Sequence, residues 1–218
     1  MDEMRRPLAE GPPWERRAAI GALRALLDTV VGSALRPTAF FRSLRPTGNL
    51  RDAALFGIGI VVLTTLVQVA WVFVVTPIPF LILSREGISP GLPLAVAFFS
   101  SWIKILSAPV LAAIGLVLLA GIFHGGLVLL GAAARPFETT LRILCYSTPP
   151  LLLGLLPFCG GTIGKAWALV LVVIGIRECH LANIGQAIVA VFLPVLVLGG
   201  CFGALLWIAL AGRILFQG

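Results

Sequence analysis

Of 218 residues, 59% are hydrophobic and only 11% are charged, against roughly 25% charged in soluble domains. A soluble core of this size cannot hide so much apolar surface, because burial saturates with surface-to-volume scaling, so the excess must face lipid. The net charge of +7 comes mainly from Arg5, Arg6, Arg16, Arg17, Arg24, Arg36, Arg42, Arg45 and Arg51, all before the first long apolar run. That asymmetry reads as membrane orientation and attraction to anionic headgroups, and no nucleic-acid partner is expected. Cys145, Cys159, Cys179 and Cys201 are scattered without a CxxC pair, so neither a disulfide framework nor a zinc knuckle is indicated. The first fifty residues hold no apolar h-region of a cleavable signal peptide.

Residues 1–13 are polar with three prolines and are expected to be mobile. Residues 14–52 form a cytoplasmic segment whose Trp14–Arg36 part is helical by pattern. Ile20, Leu23, Leu27, Val30 and Ala34 recur at three- and four-residue steps, with Arg17, Arg24 and Asp28 opposite. Such an amphipathic helix either lies in the headgroup layer or packs on the protein's own cytoplasmic face; the two readings stand equal. Pro37 then starts a turn carrying Phe40 and Phe41 at the interface.

A spanning helix needs about 20 apolar residues for a hydrocarbon core of roughly 30 Å. The sequence predicts five, at 53–76, 103–131, 141–158, 161–177 and 184–211. Pro77 and Pro79 stop the first. Leu92–Ser101 reads as an interfacial or extended helix ahead of the second, anchored by Ser100, Ser101, Trp102 and Lys104. The third and fourth are interrupted by helix-breaking Pro149, Pro150, Pro157, Gly160 and Gly161, and the fifth contains Pro194. The expected fold is therefore all-α: a polytopic membrane protein with five transmembrane helices in one domain (53–212) plus an N-terminal interfacial amphipathic helix. Residues 213–218 form a tail, and Leu215-Phe216-Gln217-Gly218 looks like what a viral-protease site leaves behind. With the N-terminus inside, twelve basic residues lie on the cytoplasmic side and four outside, as the positive-inside rule requires. An odd number of spans puts the C-terminus outside.

Several motifs follow one another in a fixed order: His124-Gly125-Gly126, then Phe137-Glu138-Thr139-Thr140-Leu141-Arg142. Cys145-Tyr146-Ser147 follows with Pro149 and Pro157, then Trp167, then Gly175-Ile176-Arg177-Glu178 with His180. With Pro37, Phe40 and Phe41 upstream, these resemble the bacterial branch of the Yip (Ypt-interacting protein) domain family over about residues 35–210. The resemblance implies five transmembrane helices, a cytosolic N-terminus, a non-cytosolic C-terminus and oligomers. Eukaryotic members associate with Rab-type GTPases. This chain has no match to their acidic, Asp-Leu-Tyr-Gly-like N-terminal segment, so a GTPase partner is not carried over.

Polar residues near the inner end of the spans are the candidate site: His124, Arg142, Tyr146, Arg177, Glu178 and His180. A polar side chain inside a span is costly and often functional. Arg142 is placed to snorkel to the interface or to pair with Glu138 one turn earlier, and Tyr146 continues its face. Arg177, Glu178 and His180 are expected in a cytoplasmic loop. His124, His180, Glu178 and Glu138 have metal-ligand chemistry but no HExxH spacing, so a hydrogen-bond and ion-pair network is expected instead, with no metal and no cofactor. All nine acids are expected outside the membrane core, which argues against ion-coupled transport. No GxSxG, HExxH or phosphate-binding Gly loop occurs, so no enzyme is expected. The reading is a scaffold or adaptor of a bacterial inner membrane, working through helix-mediated oligomers and protein or lipid partners. The alternative is a lipid or small-solute conduit through the broken third and fourth spans.

Overall fold

The structure is a computed structural model, and it describes residues 11–75, 91–157 and 159–216. These are helical, with no strand among the described residues. The mobile lead expected over 1–13 and the stop at Pro77 and Pro79 fall largely outside them.

The N-terminal segment is not one continuous helix. A 3₁₀ turn, Pro13–Arg16, leads into the single turn α1 (Arg17–Ile20), and α2 (Ala22–Leu35) follows after Gly21. Gly21 has φ +89°, a conformation that glycine adopts without steric cost. It lets the chain turn back so that Trp14 meets Thr29. On α2, Ala25, Thr29 and Ser33 are buried against the protein, while Leu23, Leu27, Val31 and Leu35 are exposed. Helix α3 (Pro37–Arg42) then lays Phe40 and Phe41 into the core.

Helix α4 (Leu50–Val75) begins three residues before the expected span. Helix α5 (Gly91–Leu129) is unbroken for 39 residues, about 58 Å at 1.5 Å per residue. Residues 92–101, read as an interfacial or extended helix, run unbroken into the rest of α5. Ser100 and Ser101 donate their hydroxyl hydrogens to the Ala97 carbonyl at 3.0 and 2.7 Å, so both are satisfied within the helix and leave no reason for a break. The expected third span is split into α6 (Phe137–Tyr146) and a 3₁₀ segment, Pro149–Leu155. Prolines 149 and 150 cannot donate to a continuing α ladder.

Helix α7 (Gly160–His180) runs further than expected and ends at Leu181, which holds the left-handed conformation at φ 55°. Arg177, Glu178 and His180 therefore belong to its last turn and not to a loop. Helix α8 (Ile184–Phe216) follows. By length and composition, three helices qualify as membrane spans among the described residues: Leu50–Val75, Ala95–Leu129 and Gly160–His180.

α6 is the pillar of the bundle. Every residue from Thr139 to Tyr146 is buried, as for a helix surrounded by other helices rather than by lipid. Glycines let its neighbours approach. A Cβ on Gly57 of α4 would lie 2.9 Å from Cys145 Cα, and one on Gly175 of α7 would meet Ile143 and Phe41. Small residues at helix crossings are a common device in membrane bundles, since close van der Waals contact replaces the missing hydrophobic drive.

Candidate functional site

A helix buried on all sides must find partners for each polar side chain inside the protein. Thr139 Oγ1 donates to the Pro46 carbonyl at 2.7 Å, and the Ser147 and Thr148 hydroxyls donate back to Ile143 and Cys145 carbonyls. Thr140, Arg142 and Tyr146 need longer-range partners, and these define two polar centres.

The first centre is built on Glu15. Its Oε1 accepts from Arg142 Nη2 at 2.5 Å and from Tyr146 Oη at 2.8 Å. The Arg142 side chain is wholly buried and that of Glu15 is 4% exposed, so the pair sits where Coulomb attraction is strong and desolvation costly. Arg142 Nε and Nη1 have no protein partner. Rings close the site: Phe40 and Phe56 pack on Tyr146 at 5.6 and 5.4 Å between centroids.

Trp14 positions Glu15. Its backbone N–H donates to Thr29 Oγ1 and its indole N–H to the Asp52 carbonyl, both at 2.9 Å. The Arg17 guanidinium lies 4.9 Å from the Trp14 ring centroid and donates to Asp52 Oδ1 at 2.8 Å. The hydrogen bond to Asp52 pushes the Arg17 pKa above its ordinary value. Farther along, Trp167 Nε1 donates to the Ala34 carbonyl at 3.1 Å, which ties the end of α2 to α7.

The second centre joins three helices through one hydroxyl. Thr140 Oγ1 lies 2.9 Å from His124 Nδ1 and 3.0 Å from His180 Nε2. A hydroxyl has one hydrogen to give, so at least one imidazole nitrogen donates to it, and the tautomers of the two histidines are linked through Thr140.

The remaining expected residues face elsewhere. Glu178 accepts from Arg42 Nε at 2.7 Å, with Arg177 at 3.8 Å. Glu138 Oε1 accepts the Gly48 backbone N–H at 2.7 Å. Arg142 therefore neither snorkels nor pairs with Glu138. The four residues of metal-ligand chemistry are thereby split, and among the described residues no group of three or more His, Cys, Asp or Glu is placed to hold a metal ion. Glu15 was not among the expected site residues, yet its carboxylate is buried within the protein. Its only sequence signal was a lone acid between Trp14 and the Arg16-Arg17 pair.

A cavity of about 680 Å³ lies between α4, α5, α6 with its 3₁₀ extension, and α7. Gln68, Lys104 and Lys165 contribute its longest polar side chains, while Leu116, Phe123 and Leu144 line its apolar wall. A smaller cavity of about 350 Å³ adjoins Gln68, Trp71, Gly154 and Pro157. Gly160 and Gly164 permit this arrangement, because a Cβ on either would collide with the Leu153 or Pro150 carbonyl.

The family model described as the Yip1 domain matches residues 31–206. No curated protein and no solved structure matches the chain.

Proposed function

The chain belongs to the Yip1 domain family, and on that premise we propose that it is a non-enzymatic membrane scaffold or adaptor. It works through helix-mediated oligomers and contacts with protein or lipid partners. The reading places it in a bacterial inner membrane as five spans, with α6 and its 3₁₀ extension as the third and α8 as the fifth. The N-terminus is cytoplasmic and the C-terminus outside, in keeping with the twelve-to-four distribution of basic residues. The observation that carries the reading is the Glu15–Arg142–Tyr146 contact. It fixes a basic N-terminal segment to the bundle as a rigid platform, with Leu23, Leu27, Val31 and Leu35 of α2 turned outward toward lipid or a partner helix.

Disulfide crosslinking of Leu27→Cys in native membranes tests this role. A crosslinked species that weakens in the Glu15→Ala background supports it. An uncrosslinked monomer throughout, with no membrane-protein partner retained on mild purification, overturns it.

The cavity favours a second reading, a conduit for lipid or a small solute beside the broken helices. A fluorescent-lipid assay in liposomes decides it, since leaflet exchange no faster than in empty vesicles removes the lipid version.

A further inference from the structure

We propose that the 680 Å³ cavity holds one anionic phospholipid, its phosphate bound by Lys104 and Lys165 and an acyl chain laid along the wall toward Phe123. The volume falls within the roughly 300–1,000 Å³ typical of small-ligand sites, and the lining is apolar apart from a few side chains. Its charge is one-sided. Two lysines line it and no carboxylate does, and neither ammonium pairs with a described residue.

Position points the same way. The His124 and His180 rings lie 5.9 Å apart and mark one level of the bundle. Lys104 is twenty residues from His124 along α5, and Lys165 fifteen from His180 along α7, so they lie about 30 and 22 Å away along their helices at 1.5 Å per residue. Both therefore sit toward the opposite end of the bundle, within or at the edge of a hydrocarbon layer of roughly 30 Å. A lysine there is costly unless it reaches water or an anion, and the ammonium is a compact phosphate binder on a long flexible stem.

The apolar wall decides between a lipid and a free anion. Inorganic phosphate would leave the apolar wall formed by Leu111, Leu116, Leu119, Leu144 and Val172 uncovered on its cavity side, whereas an acyl chain covers it. A zwitterionic headgroup would bring a quaternary ammonium toward two lysines with no acid to receive it. An anionic headgroup is the one that fits.

The test is native mass spectrometry of the full chain in mild detergent, given equal amounts of dioleoyl phosphatidylglycerol and dioleoyl phosphatidylcholine. The expected result is at least fivefold preferential retention of phosphatidylglycerol. That preference falls to parity in Lys104→Gln/Lys165→Gln, which alters exposed side chains and keeps the wild-type melting temperature. Gly115→Leu fills the cavity from a position where an added Cβ meets open space, and it should lower retention of both lipids. Equal retention by the wild type, an undiminished preference in the double variant, or displacement of phosphatidylglycerol by equimolar inorganic phosphate would overturn the proposal. Retained lipid is the readout, so the crosslinking and leaflet-exchange results stand or fall separately.

Discussion

Tyr146 donates its phenolic hydrogen to Glu15 across 131 residues of sequence, and Arg142 binds the same carboxylate oxygen from one turn away. The two donors neutralise and satisfy an acid that would otherwise be an unpaired charge among aromatic rings. The same contact leaves Arg142 dependent on a segment outside the helical bundle.

Glu15→Gln should therefore be the most damaging single substitution in the N-terminal segment. Breaking one side of a buried pair costs about 3–5 kcal/mol, because the other charge stays buried. Tyr146→Phe removes one charge-assisted hydrogen bond and should cost about 1.5–3 kcal/mol. Thermal unfolding in detergent reads both. Limited proteolysis near Gly21 should accelerate in Glu15→Gln, and unchanged cleavage would refute the docking role.

Thr140→Val removes the hydroxyl shared by His124 and His180 while keeping its shape. A ring nitrogen of buried His180 and one of half-buried His124 lose their partner, at about 1–3 kcal/mol. Zinc should leave the melting temperature of the wild type unchanged, since the centre offers two nitrogen ligands rather than the three or four of a zinc site. A zinc-dependent rise in melting temperature would contradict this arrangement.

Neighbouring glycines should respond in opposite ways. Gly126→Ala drives a methyl group to 2.9 Å from the Ala190 carbonyl oxygen, whereas Gly125→Ala meets nothing within 4 Å. The first should destabilise by about 1–3 kcal/mol through overpacking. The second should be neutral or stabilise by up to about 1 kcal/mol, the propensity difference between the two residues. Gly57→Ala and Gly59→Ala make the same contrast on α4. Equal responses within either pair would mean that the close helix contacts are absent.

Ala134→Cys places a thiol at an exposed position between α5 and α6. With the orientation proposed above, a membrane-impermeant maleimide should modify it in inside-out vesicles and leave it unlabelled in intact spheroplasts. The reverse pattern would invert the topology.

Much of this was legible in the sequence. The helical membrane class followed from apolar run lengths and the shared face of Arg142 and Tyr146 from helical spacing, while the family was carried by the ordered motifs from His124 to His180. The failures have physical causes. The end of α7 looked like a loop because Arg177, Glu178 and His180 are polar, but one of them meets Arg42 and another Thr140. The protein-facing side of α2 was not legible, because a turn at Gly21 and a docked Trp14 select the small residues Ala25, Thr29 and Ser33 for that contact. Glu15 was invisible because its partners lie 127 and 131 residues away, beyond any local periodicity.

The length of that separation has a consequence for biosynthesis. At about 5–20 residues per second, the ribosome needs roughly 6–25 s after making Glu15 before Arg142 exists. Through that interval the carboxylate has no counterpart, and α4 and α5 enter the membrane without the N-terminal segment seated against α6. The contact closes only once the third helical section is in place, so it registers that the bundle has formed. A nascent chain stalled before α6 would hold Glu15 only through the contacts of Trp14 and Arg17 with Thr29 and Asp52, with its carboxylate still lacking both donors.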